Sequence, residues 1–287
     1  MRLTRWLLLV LLVLPVSVSA QSEERTIYAS VVDKEDAPVT GLPAGAFIVR
    51  ENDIAREVLR VSPATAPMQI ALLVDTSQAI DNFLIDFRTG VQKFIKRMAG
   101  KNEIMLMGFG ERPTQLVDFT RDGARLEKAM GSVFARQGSG TYLLEAIIDA
   151  SRALRRHKAA RPHIIVVAAR GPEFSEHHHT NVVDAVREAG ATLHTLMLQR
   201  RSGAAATNDR EEQELQLTVD DGTRLSGGRR DDILTTMAIG DRMEALASEL
   251  ENQYQITYAR PPKLIPPKTV EVSAKRTDVT VRAKQWP

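Results

Sequence analysis

The 287-residue chain has no cysteine, which excludes a disulfide framework and any Cys-ligated zinc or iron–sulfur centre. Aromatic residues make up only 5% of it, too few for the stacking platforms of a single-strand nucleic-acid binder. Neither sign of charge dominates: 38 Lys and Arg stand against 36 Asp and Glu, a formal +2, so there is no case for a polyanion binder. No G-x-S-x-G elbow is present, and six histidines leave few bases for a Ser/His/Asp triad. The phosphate-loop pattern G-x-x-x-x-G-K-[ST] is missing, and no G-x-G-x-x-G follows the first long apolar strand. Past residue 20, no uninterrupted apolar run approaches the ~20 residues of a spanning helix.

What is there is ordinary globular composition, 43% hydrophobic and 26% charged, with the length of roughly two average domains or one with a smaller appendage. The first twenty residues, MRLTRWLLLVLLVLPVSVSA, form a group of their own. Arg2 and Arg5 make a positive start, an apolar run extends from Trp6 to Leu14, Pro15 breaks it, and Val18-Ser19-Ala20 is small-residue cleavage context. This reads as a secretory signal peptide cut after Ala20; the run is short for the alternative, an uncleaved anchor. The expectation is an exported protein, periplasmic or extracellular, with no membrane insertion after cleavage. Without the leader, 36 basic residues face 36 acidic ones.

Residues 21–66 read as an N-terminal β segment, with TIYASVVD, GAFIVREND and REVLRVSP as short runs ending at turn residues. Such strands need a partner sheet. Residues 261–287 offer one: TVEVSAKR and DVTVRAKQ around Thr277-Asp278 read as a hairpin, expected to pair with the N-terminal segment in a small β-sandwich. Between them, residues 67–260 alternate strands and helices. MQIALLVD and HIIVVAA are continuous apolar runs suited to strands covered on both faces. Ile80, Phe83, Leu84, Phe87, Val91 and Phe94 recur at helical spacing, as do Leu143, Leu144, Ile147, Ile148 and Leu154. Asp241 and Glu244 read as a capping box opening another helix. Residues 199–231 break the rhythm and look polar and irregular. The fold class is α/β, doubly wound with a mostly parallel sheet, plus the sandwich from both ends of the chain.

Ligands of such sheets bind beyond the carboxyl ends of the strands. There stands Asp75-Thr76-Ser77-Gln78-Ala79. Asp75 and Ser77 either cap the following helix or supply oxygens to a hard cation. With the long helix behind it, the stretch Gly138-Ser139-Gly140-Thr141 and the strand end VVAARG, this order of motifs resembles a von Willebrand factor type A (vWA, or VWFA) domain. The flanks VVDKEDAPVTGLPAGAFIVREND and ALASELENQYQITYARP are similar to the bacterial VWFA-related secreted proteins of the Acidobacterial type.

The resemblance implies a metal-ion-dependent adhesion site of pattern D-x-S-x-S, a Thr in the second loop and an Asp after the central strand. Asp75, Ser77 and Thr141 match, whereas Ala79 replaces the second Ser and Arg170 the Asp. At ~4 Å and an effective dielectric of ~20 a unit-charge pair is worth about 4 kcal/mol, and a guanidinium facing a dication costs roughly twice that. The site is therefore expected to be degenerate and free of cofactor, the alternative being Mg²⁺ held by Asp75, Ser77, Thr141 and waters. Arg170 either folds inward onto Asp75, the favoured reading, or presents its fork to an acidic side chain of a partner protein. Arg170, Ser77 and Thr141 are the expected partner-binding residues.

Two clusters carry blander readings. His177, His178 and His179 lack the spacing of a catalytic zinc site and read as a solvated loop. Arg152, Arg155, Arg156, His157, Lys158 and Arg161 read as a solvated helix face; His163 and His194 are expected to point into the core or a helix layer. The expected function is a non-enzymatic, exported protein-binding module, with a hydrolase or a structural envelope subunit as alternatives.

Overall fold

Strands whose residues are apolar at every position are buried on both faces, and helices with one apolar stripe cover them. In the computed structural model, which describes residues 23–199, 209–262 and 265–286, the chain begins with β1 (Glu23–Val32), β2 (Phe47–Glu51), β3 (Ile54–Arg56) and β4 (Val58–Pro63). It then alternates through β5 (Gln69–Val74), α1 (Leu84–Met98), β6 (Glu103–Gly108), β7 (Thr114–Thr120), α2 (Gly123–Gly131), α3 (Leu143–Arg156), β8 (Pro162–Ala169), α4 (His179–Glu188), β9 (Thr192–Leu198), α5 (Asp209–Ser226), β10 (Arg230–Ile233) and α6 (Ala238–Glu251). It returns through β11 (Tyr254–Arg260), β12 (Val270–Ala274) and β13 (Thr280–Ala283). The expected leader lies outside the described residues.

One sheet has the order β10-β9-β8-β5-β6-β7, parallel except for β7. Alternate residues of β5 face opposite layers. Ile70, Leu72 and Val74 meet α1, α2 and α6, while Ala71 and Leu73 meet α3, α4 and α5. This is the doubly wound α/β architecture expected from the sequence.

Two helices differ from expectation. Residues 209–226, read as irregular, form α5. Its inward stripe of Leu215, Thr218, Val219, Gly222, Thr223 and Ser226 is buried but contains only two large apolar residues, so apolar periodicity misses it. Thr223 Oγ1 donates to Val219 O (2.7 Å), Ser226 Oγ accepts from Leu193 N (2.8 Å), and the absent side chain of Gly222 lets the helix approach Leu193. The capping box at Asp241 and Glu244 does not form. Helix α6 starts earlier, with no side-chain cap at Met237, because a turn at residues 235–239 and the bond from Thr236 Oγ1 to Asp86 (2.5 Å) initiate it upstream. Met243, Leu246, Ala247 and Leu250 face inward as expected.

The ends of the chain build two facing sheets, β13-β1-β11-β4 and β12-β2-β3, around Ile27, Val31, Phe47, Val49, Tyr254 and Ile256. The expected hairpin at Thr277-Asp278 is an arch instead. β12 pairs with β2 and β13 with β1, so Val270 and Val272 of one strand and Val281 of the other turn towards the same interior. Strand β11, read from the sequence as a strand ahead of the C-terminal pair though inside the 67–260 bounds, lies between β1 and β4.

The sandwich docks at the amino ends of the parallel strands. Arg161 is not on a solvated face. It is buried, donates to Ala64 O, Ala66 O, Leu250 O and Gln253 Oε1, and stacks over Tyr28. Arg229, 2% exposed, is bonded by Asp231 and ion-paired with Asp36 and Glu249; Arg282 of β13 reaches the same Glu249 and Asp36. Beside them His163 and His194 are buried on neighbouring strands, Nδ1 to Nε2, at 3.2 Å. The backbone N–H of Arg229 donates to His194 Nδ1 (3.1 Å), so His194 donates from Nε2 and His163 accepts. Burial pushes both imidazoles down, His194 to about 3.

Candidate functional site

Asp75 ends β5 fully buried. Its Oδ1 accepts from Ser77 N (2.7 Å) and its Oδ2 from Ala169 N (3.1 Å), tying the tip of β5 to that of β8. Burial raises its pKa while these bonds oppose the shift. Ser77 Oγ accepts from Ala79 N (3.2 Å) and so caps the 3₁₀ segment Gln78–Phe83 that leads into α1. Thr76 Oγ1 accepts from Gly110 N (2.7 Å). A Cβ on Gly110 would lie 2.4 Å from Thr76 O, so only glycine permits this approach.

Thr141 reaches the same end of the sheet but is committed elsewhere. Its Oγ1 donates to Glu173 Oε2 (2.8 Å). Its N–H donates to Pro172 O (2.8 Å), and its carbonyl accepts from Phe174 N (2.9 Å). Residues 172–174 are thus zipped onto the loop before α3.

Glu173, which sequence reasoning missed, organises this closure. It is 3% exposed and also accepts from Leu143 N (3.2 Å), from Ser175 N (3.1 Å) and from Ser175 Oγ. Ser175 Oγ in turn accepts from Leu144 N (3.2 Å). The N-cap residue of α3, Tyr142, makes no side-chain cap, so the free amides of its first turn are satisfied by Glu173 and Ser175 from a distant loop. Burial drives the Glu173 carboxyl up to about 7, against the bonds from Ser175 and Thr141 that favour its charged form. The one sequence clue is a carboxylate and a hydroxyl in Glu173-Phe174-Ser175 just after a strand end. Phe174 covers the closure: a Cβ on Gly140 would lie 2.2 Å from its ring.

The expected inward pairing of Arg170 with Asp75 does not occur. Asp75 is enclosed and both its oxygens already accept backbone N–H groups. Helix α5 instead brings Glu212 and Gln216 to Arg170, whose two terminal nitrogens bond their side-chain oxygens. Arg170, Ala79, Gln78, Asn82, Gly140 and Phe174 border a cavity of about 410 Å³. Asp75, Ser77 and Thr141 lie beneath it, 0%, 1% and 3% exposed.

The histidines following β8 are more tightly held than a solvated loop. His178 Nδ1 and His179 Nδ1 lie 3.1 and 2.8 Å from the two oxygens of Glu214 on α5, and His179 N donates to the same carboxylate (2.7 Å). These bonds hold Glu214 down to about 2. Among the described residues, no group of three or more His, Cys, Asp or Glu is placed to hold a metal ion.

Residues 70–172 match the family described as the von Willebrand factor type A domain, and the chain therefore contains a domain of that type; such domains are typically non-catalytic. Among solved structures, a von Willebrand factor type A protein from Catenulispora acidiphila aligns with a TM-score of 0.52 at 11% identity, covering 94% of this chain and 75% of that one. Proximal thread matrix protein 1 of the mussel byssus, in a form with a zinc-occupied MIDAS motif, aligns with a TM-score of 0.52 at 12% identity, covering 70% of this chain and 49% of its own. At these identities the likeness establishes the fold alone. Comparison with curated protein sequences returns no match.

Proposed function

We propose that the chain is an exported, non-enzymatic protein-binding module of the bacterial VWFA-related kind, whose surface at the carboxyl ends of the parallel strands engages its partner without a metal. The observation that carries this reading is where apolar surface is left uncovered. Of the nine large apolar residues more than a third exposed among the described residues, six, Ile85, Leu116, Phe134, Phe174, Leu234 and Met237, lie on loops, helix starts and a strand segment around that end of the sheet, and the other three, Ile54, Leu59 and Ile265, lie in or beside the terminal sheets. Large apolar groups gathered at one end of a domain mark an interaction surface.

A dication has little to bind there. Ala79 and Arg170 depart from the adhesion-site pattern, Asp75 spends its oxygens on backbone amides, and the Thr141 hydroxyl donates to Glu173. The internal carboxylate of Glu173 takes the Thr141 hydroxyl that the adhesion-site pattern assigns to a metal. Arg170 stands at the rim, 18% exposed at its side chain, while Ser77 and Thr141 support the contact from beneath. Export rests on the first twenty residues, and a periplasmic or extracellular location follows from it.

Melting with and without millimolar Mg²⁺ or Mn²⁺ tests the metal-free reading. An unchanged Tm is expected, and a ligand-dependent rise supports retained Mg²⁺ binding through Asp75, Ser77 and Thr141 instead. Capture of envelope proteins by the wild type is expected to be lost with Phe174→Asp and weakened with Arg170→Ala. Capture that survives Phe174→Asp and Ile85→Asp together removes the strand-end surface as the binding face.

A further inference from the structure

Two grooves of about 520 and 530 Å³ meet on the strand-end surface, and Arg112, Tyr142 and Phe174 border both. Their charges are unequally matched. In the first, Arg136 is held by Glu111 at 3.0 Å and stacks on Phe134, 5.6 Å from its centroid. Arg112, which borders both grooves, is exposed and lies within ion-pairing distance of no carboxylate among the described residues, leaving their junction with an unmatched cation. In the second, Arg152 pairs with Asp149. Glu145 Oε1 accepts from Glu176 N (3.2 Å), whereas Glu145 Oε2 is enclosed without a hydrogen-bond partner, and Glu176 adds an exposed carboxylate. Beside Arg112 at the junction of the grooves stands the aromatic pair Tyr142 and Phe174, ring centroids 6.1 Å apart, with Phe174 45% exposed.

We propose that these joined grooves seat an extended segment of a partner protein carrying an apolar side chain on Phe174 and Tyr142, a carboxylate at Arg112 and a cation at Glu176. The proposal rests on the strand-end reading above and makes it specific. The exposed carboxylate of Glu176 and the exposed guanidinium of Arg112 both gain from a ligand of complementary charge. The apolar contact supplies affinity, and the order of charges supplies direction and selectivity. Arg170, already bonded to Glu212 and Gln216, is not the acceptor of the partner's acid in this arrangement.

The test uses the leader-free chain and end-blocked peptides at up to millimolar concentration, followed by NMR chemical-shift titration. Asp-Gly-Phe-Gly-Lys is expected to shift resonances of residues 110–114, 140–149 and 174–177, with binding weakened at least tenfold by Arg112→Glu and also by raised salt. Lys-Gly-Phe-Gly-Lys, which the wild type rejects, is expected to bind Arg112→Glu about as tightly as the first peptide binds the wild type. Arg112 and Glu176 are exposed, so replacing either leaves the fold intact, and Glu176→Gln is expected to abolish the preference for Asp-Gly-Phe-Gly-Lys over Asp-Gly-Phe-Gly-Gln. Equal binding of both peptides to wild type and Arg112→Glu overturns the proposal, as does the absence of any shift at millimolar peptide. Loss of envelope-protein capture in Phe174→Asp but not in Arg112→Glu overturns the charge assignment while leaving the strand-end reading standing.

Discussion

At the amino ends of the parallel strands, Arg161 and Arg229 are buried and reach across to the sandwich or the segments leading to it, at Tyr28, Asp36, Ala64 and Gln253, while Arg229 also pairs with Asp231 and Glu249 of the α/β layers. At the carboxyl ends, Asp75 and Glu173 are buried as deeply but find theirs in nearby loops and strand tips of the α/β domain: Ser77, Thr141, Leu143, Ala169 and Ser175. A polar group satisfied across two folding units makes each unit's stability depend on the other. One satisfied within a loop cluster makes only that cluster depend on it. The first end is therefore a weld and the second a closure, and exposed apolar groups gather at the closure.

The strongest way to break the contrast is Arg229→Ala. It removes the bonded partner of Asp231 and leaves Glu249 and Asp36 to Arg282 and Arg242 around a buried gap, and is expected to cost about 3–5 kcal/mol, measured by urea denaturation, with both sheets losing structure in one transition. A loss under about 1 kcal/mol removes the weld.

Next comes Glu173→Ala, expected to cost about 2–3 kcal/mol by orphaning the amides of Leu143 and Ser175 and leaving the Thr141 hydroxyl only its longer bond to Pro172 O (3.2 Å). Hydrogen exchange is expected to accelerate first at residues 138–144 and 171–175, while β5 and β8 stay protected. Acceleration spread evenly over both ends of the sheet contradicts a local closure.

The histidine pair sharpens the comparison through pH. Both folded imidazoles are pushed below the ordinary value of 6.5, so their contribution is fully present above about pH 6.5. It is lost as pH falls towards the folded value, by at most about 1.4 kcal/mol per pH unit per histidine. Glu173, raised to about 7, acts in the opposite sense, its contribution being lost as pH rises through that value. The informative quantity is thus the difference between wild type and His194→Gln, expected to narrow between pH 6.5 and 4. Parallel pH profiles rule out the pair as the source.

The smallest effect is expected from Arg170→Ala. Its pair with Glu212 is partly exposed and is worth roughly 0.5–1 kcal/mol. A double-mutant cycle with Glu212→Ala measures it.

The carboxyl-end loops also show how far residue patterns can be read. Asp75, Ser77 and Thr141 converge on one end of the sheet as their motif order implied, because continuous apolar strands and short connections leave those loops nowhere else to go. Their bonding was not legible. Glu173 follows a glycine and a proline like any loop residue, and its role depends on Thr141, 32 positions earlier. Arg170 turns to α5, whose inward stripe of threonine, glycine and serine carries no apolar period to announce a helix.

Local chemistry alone determined the parallel strands, the amphipathic faces of α1 and α3, and the need for β segments at both ends to share a sheet, since burial of apolar side chains follows from their spacing. Tertiary structure decided which unit each polar side chain would serve. It split the last two strands between two sheets, buried Arg161 at the junction, drew Arg170 away from Asp75 and placed an internal carboxylate on Thr141. Hydrogen bonds and ion pairs act over a few ångströms, so these pairings exist only after distant segments have packed together.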